Sequence, residues 1–196
     1  MTAAPSRADD WSQGWCMSAR RTASPNFGPR PDGCAVSLVV LHAISLPPGV
    51  FGGPEVEQLF TNTLDPAAHP CFTSLAGLRV SAHFFLRRDG ALTQFVSVED
   101  RAWHAGVSAW RGRENCNDYS VGVELEGDDD TPYAEAQYAV LWALLAALRA
   151  RYPVTDVAGH VHIAPGRKTD PGPCFDWPRL AARFPDLRLP DSILPS

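Results

Sequence analysis

The chain has no apolar run long enough to span a bilayer; its longest, around Tyr138–Leu148, is short and broken by helical periodicity. The opening "MTAAPSRADDWSQGW" lacks the apolar core of an export signal, so the expectation is a cytoplasmic protein with no membrane partner. Cysteine is sparse and follows no pairing pattern. The five (Cys16, Cys34, Cys71, Cys116 and Cys174) are odd in number, widely spaced and without a CxxC pair. That argues against a disulfide framework or a zinc finger and reads as reduced thiols. Positive charge is not in excess either. A net charge of -5, with basic residues in scattered pairs such as Arg20-Arg21 and Arg87-Arg88, excludes broad nucleic-acid binding. Internal repeats are absent. What remains is the composition of a soluble globular enzyme, and 196 residues suffice for one domain with a sizeable core. The chain is expected to act as a monomer.

Residues 1 to about 35 are rich in Ser, Arg, Pro and Gly and read as an extended arm lying on the domain. "VSLVVLHA", Val36–Ala43, is a β-branched apolar run and reads as a central buried strand. "GPEVEQLF" can form a short helix, and Thr61–Leu78 reads as a long surface loop. Arg79–Ser97 reads as two strands joined at Asp89-Gly90, a strong hairpin signal. In "YSVGVELEG" the alternation puts Val121, Val123 and Leu125 on one face and Gly122, Glu124 and Glu126 on the other. The clearest helix has Thr131 as N-cap, Pro132 at its first position and an apolar stripe from Tyr138 through Leu141, Leu145 and Leu148 to Tyr152, before Pro153. "VTDVAGH" reads as a last strand and "DWPRLAARF" as a final helix begun by Asp176. Interleaved strands and helices with one hairpin predict an α/β fold: a single domain with a central mixed β-sheet flanked by helices.

"GHVHIAPGRKTDPGP", Gly159–Pro173, carries two histidines, a lysine and an aspartate on a segment too rich in Gly and Pro to be a helix. On an extended chain His160 and His162 point the same way, so either can join His42, which ends the central strand. Asp170 precedes Pro171, which restricts its backbone and steadies its carboxylate. Two imidazoles and a carboxylate with one open position suit Zn²⁺, with Mn²⁺ and Fe²⁺ as other fits. Glu124, between a valine and a leucine, would have a raised pKa in a partly apolar cleft and would serve as a general base. Taken alone, it is more simply a surface glutamate paired with an arginine. Lys168 beside a metal can stabilise an oxyanion; most lysines are merely solvated. Trp103-His104 can provide a substrate platform and a partner for a metal ligand, or be two core residues.

Four segments in order, "VVLHAISLPPGVFGGP", "HPCFTSLAGLRVSAHFFLRRDGALTQFV", "RAWHAGVSAWRGRENCNDYSVGVELEG" and "GHVHIAPGRKTDPGPCFDW", resemble the AmpD-type 1,6-anhydro-N-acetylmuramoyl-L-alanine amidases. These belong to the wider zinc amidase family that includes a phage lysozyme and the peptidoglycan recognition proteins. The resemblance runs from about Ser24 to Trp177. It implies an N-terminal arm over 1–23, a zinc amidase domain over 24–185 and a C-terminal tail over 186–196. It further implies Zn²⁺ held by His42, His160 and Asp170, with His162 a neighbour and not a ligand. Glu124 would activate water and Lys168 would stabilise the transition state. Trp103 would line the substrate cleft and Arg79 would meet a peptide carboxylate. Ala43 stands where relatives often carry asparagine and Asn115 where they can carry arginine, departures that bear on substrate contacts and leave the metal and catalytic groups intact. The implied activity is hydrolysis of the lactyl–L-Ala amide of 1,6-anhydro-muropeptides in cytoplasmic peptidoglycan recycling, which would influence β-lactamase induction where muropeptides are the inducers. Two competing readings are a broader amidase acting on intact peptidoglycan and a metal-free module that binds peptidoglycan fragments.

Overall fold

Leu38–Ile44, buried from Leu38 to His42, is paired on both sides in the computed structural model, which describes residues 11–191. The central sheet has six strands, β1 (Arg20–Arg21), β2 (Leu38–Ile44), β3 (Phe84–Leu86), β4 (Leu92–Gln94), β5 (Ser120–Glu126) and β6 (Asp156–Gly159). Their order across the sheet is β6-β2-β5-β3-β4-β1. The pairing is parallel except between β3 and β4. Those two form the expected hairpin, turned at Asp89-Gly90, where Gly90 takes φ +88° and Asp89 accepts the Ala91 N–H. The sheet is therefore mixed and lies within one domain.

One face of the sheet carries Val39, Leu41, Val121, Val123, Leu125 and Val157. Helix α2 (Glu135–Arg151) covers it with Tyr138, Leu141, Leu144, Leu145 and Leu148, joined by Leu180 of helix α4 (Trp177–Arg183). Fully burying each leucine stabilises the fold by about 1.5–3 kcal/mol, which fixes which way β5 faces. The opposite face carries Val40, His42, Gly122 and Glu124 by strand alternation. Helix α1 (Glu55–Phe60) buries Val56, Leu59 and Phe60 in a smaller cluster with Phe85 and Phe95. On the N-terminal side, Trp11 packs edge-on to Phe84 and Tyr152. Leu187 and Leu189 near the other end are buried as well.

Two local expectations change. Helix α2 starts at Glu135, not at a Thr131 cap. Asp128 Oδ1 accepts the Asp130 and Thr131 N–H groups at 3.0 and 2.7 Å, holding that stretch in a side-chain turn. Gln137 then reaches back to accept the Ala134 N–H at 3.0 Å and starts the helix there. The segment after β6 is not free of helix either: His160–Ile163 makes one turn, α3. Its Gly and Pro residues act only from Pro165 onward, so they do not prevent the turn. The long loop over 61–78 contains a 3₁₀ turn, Pro70–Leu75, that buries Phe72.

Candidate metal centre and catalytic cleft

Three parallel strands deliver the site at or near their carboxyl ends, where open α/β sheets commonly bind ligands. In the register of the sheet Glu124 stands beside His42, and Gly159 stands beside Leu41. His160, the next residue, therefore arrives alongside His42. The turn of α3 separates the two histidines of this segment. His160 turns inward, while His162 accepts the Gly159 N–H and packs edge-on against Trp177. Extended-strand geometry made the two interchangeable; the helical turn does not.

His42 Nδ1 lies 2.9 Å from His160 Nδ1, and Asp170 Oδ2 lies 3.1 Å from each. His42 and His160 are 1% and 4% exposed. This triangle is close to the edge of a tetrahedron, roughly 3.3 Å, that ligand bonds of about 2.0–2.1 Å would produce. Two imidazoles and one carboxylate are also the donors that Zn²⁺ accepts in sites with an open position. The residues present therefore fit a divalent metal. Burial pulls the His42 pKa down to about 4, against the pull of Asp170, so the ring is neutral with a lone pair to offer. Burial alone would raise the Asp170 pKa; hydrogen bonds from His160 and His42 outweigh it and hold the carboxyl well below the usual carboxylate range.

Glu124 is 8% exposed, and its Oε2 atom is buried without a hydrogen-bond partner. Burial, reinforced by the charge of Asp170, lifts its pKa well above the ordinary glutamate value, while Lys168 acts in the opposite direction. An unpartnered buried carboxyl is costly, and here it stands next to the three donor atoms, a placement suited to proton transfer. Lys168 and Asp170 line an open cleft of about 390 Å³ together with Ala43, Gly127, Asp128 and Asp129. Lys168 is exposed. Neither Trp103 nor Arg79 lines this cleft. Trp103 is half-buried and its backbone pairs with Ser81; Arg79 borders a separate small cavity beside Phe72 and Leu75. Asn115 is exposed and left-handed at φ +56°.

The fold brings two further features to the site. Gly122 leaves room for the His104 ring, since a Cβ there would fall 2.5 Å from His104 Cγ. Asn117 Oδ1 accepts the N–H groups of both His104 and Ala105. A glycine inside a strand is a sign of such close approach. Nothing in the sequence marked Asn117.

Two buried histidines and the part-buried Asp170, beside the unpartnered Glu124 carboxyl at the ends of parallel strands, form a donor set that fits a divalent metal next to a group placed to move a proton. Comparison narrows the class. Residues 32–173 match the family model of N-acetylmuramoyl-L-alanine amidase. The chain is 56% identical over 182 residues to the 1,6-anhydro-N-acetylmuramyl-L-alanine amidase AmpD of Citrobacter freundii, covering 92% of this chain and 95% of that protein. It is 56% identical over 170 residues to the AmpD of Escherichia coli strain K12, covering 86% and 93%. A crystal structure of a selenomethionine AmpD derivative superposes with a TM-score of 0.85 at 55% identity, covering 88% of this chain and 97% of that one. The chain belongs to the N-acetylmuramoyl-L-alanine amidase family. Among the described residues no helix is long and apolar enough to cross a membrane.

Proposed function

We propose that this protein is a zinc-dependent amidase that hydrolyses the amide between the lactyl group of 1,6-anhydro-N-acetylmuramic acid and L-alanine, acting on anhydro-muropeptides in cytoplasmic peptidoglycan recycling. The observation that carries this is the unpartnered Glu124 carboxyl beside His42, in a chain so similar to amidases bearing that name. His42, His160 and Asp170 would hold the metal. Zn²⁺, when bound, supplies Lewis-acid activation of water and polarisation of the scissile carbonyl.

The chain's own groups do the rest. Glu124 takes a proton from the attacking water as the new C–O bond forms. The Lys168 ammonium faces the cleft and stabilises the negative charge that develops on the carbonyl oxygen. As the C–N bond breaks, Glu124 returns the proton to the L-alanine nitrogen. The products are the sugar lactyl carboxylate and a free peptide amine. Trp103 and Arg79 are our assignments for contacts to substrate beyond the cleft. We assign residues 24–185 to the catalytic domain, 1–23 to an arm that adds β1 to its sheet and 186–196 to a tail that packs Leu187 and Leu189 onto its core, in a protein acting as a monomer without nucleic-acid or membrane partners.

The test is hydrolysis of anhydro-N-acetylmuramoyl-tripeptide by metal-quantified protein, before chelation, after it and after zinc is restored. Peptide release that tracks one bound zinc supports the reading. Bound zinc with an uncleaved anhydro-substrate but cleaved intact sacculi would replace it with a broader wall amidase. No zinc and no cleavage would leave a fragment-binding module.

A further inference from the structure

Both histidines of the triangle turn Nδ1 inward, which leaves each Nε2 to face the protein. His42 Nε2 lies 2.9 Å from His104 Nδ1, and His160 Nε2 lies 3.1 Å from the carbonyl oxygen of Ala105. The two outer partners are consecutive residues. Their backbone N–H groups both donate to one atom, Asn117 Oδ1, at 3.1 and 2.9 Å. His104 is also held on its far side: its Nε2 lies 3.3 Å from Ser120 Oγ, and Gly122 leaves the space its ring occupies. Asn117 is itself anchored. It sits in a 3₁₀ turn, Cys116–Asp118, and the half-buried Arg30 guanidinium donates to the carbonyls of Asn117 and Asp118 at 3.2 and 2.9 Å.

We propose that Asn117 is a positioning residue for the metal centre: by holding the His104–Ala105 backbone with one oxygen, it sets the orientation and proton arrangement of both imidazole ligands at once. This rests on the metal reading given above. With Nδ1 of each ring turned to a metal, the ring protons sit on Nε2. The His42 Nε2–H then donates to His104 Nδ1, and the His104 Nε2–H donates to Ser120 Oγ. The His160 Nε2–H donates to the Ala105 carbonyl, which also accepts from Arg167 Nη2 at 3.0 Å. A metal-ligating histidine relies on such an outer acceptor to fix its ring and strengthen its donor nitrogen. Here both acceptors belong to one dipeptide, so losing a single side-chain oxygen would loosen two ligands together. Among the described residues, the Asn117 side chain bonds to the His104 and Ala105 backbone and to none of the three metal-donor atoms, so its effect passes through His104 and Ala105.

The experiment compares Asn117→Leu, which keeps similar bulk but removes the acceptor, with Asn117→Asp, which retains an oxygen in the same place. Zn²⁺ affinity is measured by competition with a chromophoric chelator, and urea unfolding of the metal-free proteins is measured alongside. Asn117→Leu is expected to weaken zinc binding about 10–100-fold, the usual consequence of removing an outer partner, and Asn117→Asp to restore it. Nitrogen NMR of the zinc-loaded protein should show both imidazoles protonated at Nε2 in wild type and in Asn117→Asp. Should Asn117→Leu fail to fold, Asn117→Ser takes its place, since its hydroxyl is too short to reach both N–H groups. Folded Leu or Ser variants that bind zinc as tightly as wild type would overturn the proposal and leave the metal centre standing. A wild-type protein that binds no zinc would overturn both.

Discussion

Glu124 and His42 are direct neighbours on adjacent parallel strands, and they project from the same face of the sheet. One is a carboxyl with a buried, unpartnered oxygen, and the other is a neutral imidazole. Replacing Glu124 by Gln keeps the shape and removes the base. We expect zinc content and fold to persist while kcat falls about 10²–10⁴-fold, the range of a general acid–base contribution. A variant that retained near-wild-type kcat with full zinc would remove Glu124 from the proton path.

The same substitution has a signature in the pH dependence of stability. Glu124 has a raised pKa in the folded metal-free chain, so its favourable contribution is present below the unfolded glutamate value and is lost as pH rises through the folded value. Chelated wild type should therefore weaken relative to Glu124→Gln as pH increases through that window. Urea unfolding at several pH values measures the difference between the two proteins. A difference that does not change with pH would mean the carboxyl is not shifted.

Lys168 is exposed on the cleft wall two residues before Asp170. Lys168→Ala should bind zinc like wild type and lose about 10²–10³ in kcat, the typical effect of removing one oxyanion donor. His42→Ala should behave differently, since it takes one donor from a set of three. Zinc and activity should vanish together. Metal analysis of the two purified variants separates the roles; zinc loss in Lys168→Ala would make the lysine structural.

Gly122→Ala tests the packing behind the site. The new Cβ would meet His104 Cγ at 2.5 Å, so the ring must move. Overpacking of this kind destabilises by about 1–3 kcal/mol, and a displaced His104 would also lower zinc affinity. Thermal unfolding and chelator competition report the two effects. An unchanged Tm would show that the strand can relax around the methyl group.

Asp156 offers a prediction away from the cleft. Its buried carboxylate accepts from Thr155 Oγ1 at 2.6 Å, Trp110 Nε1 at 3.0 Å and Arg188 Nη2 at 2.6 Å. Burial would raise its pKa, but these bonds outweigh burial and hold it below the usual value. Its contribution is therefore present above the unfolded aspartate value and lost as pH falls through the folded one. Asp156→Asn should cost about 1–3 kcal/mol at neutral pH, and the gap from wild type should close in acid. A gap that stays constant into acid would show that the charge contributes nothing.

The chain's alternation and periodicity were enough to locate β2, the β3–β4 hairpin, β5 and the apolar stripe of α2, because a strand or helix with one buried face must repeat its apolar residues at that element's own period. Those patterns, read with the resemblance, also brought His42, Glu124, His160, Lys168 and Asp170 into view. The choice between His160 and His162 on spacing alone was different in kind. It depended on whether the backbone after Gly159 runs extended or turns, and the helical turn of α3 decided it. The start of α2 went the same way: Asp128 captures the N–H groups that a Thr131 cap would have used. The convergence of His104 and Ala105 on Asn117 has no sequence period at all. It arises only when two loops meet over the sheet, and backbone hydrogen bonds made across such a meeting are invisible until the chain has folded.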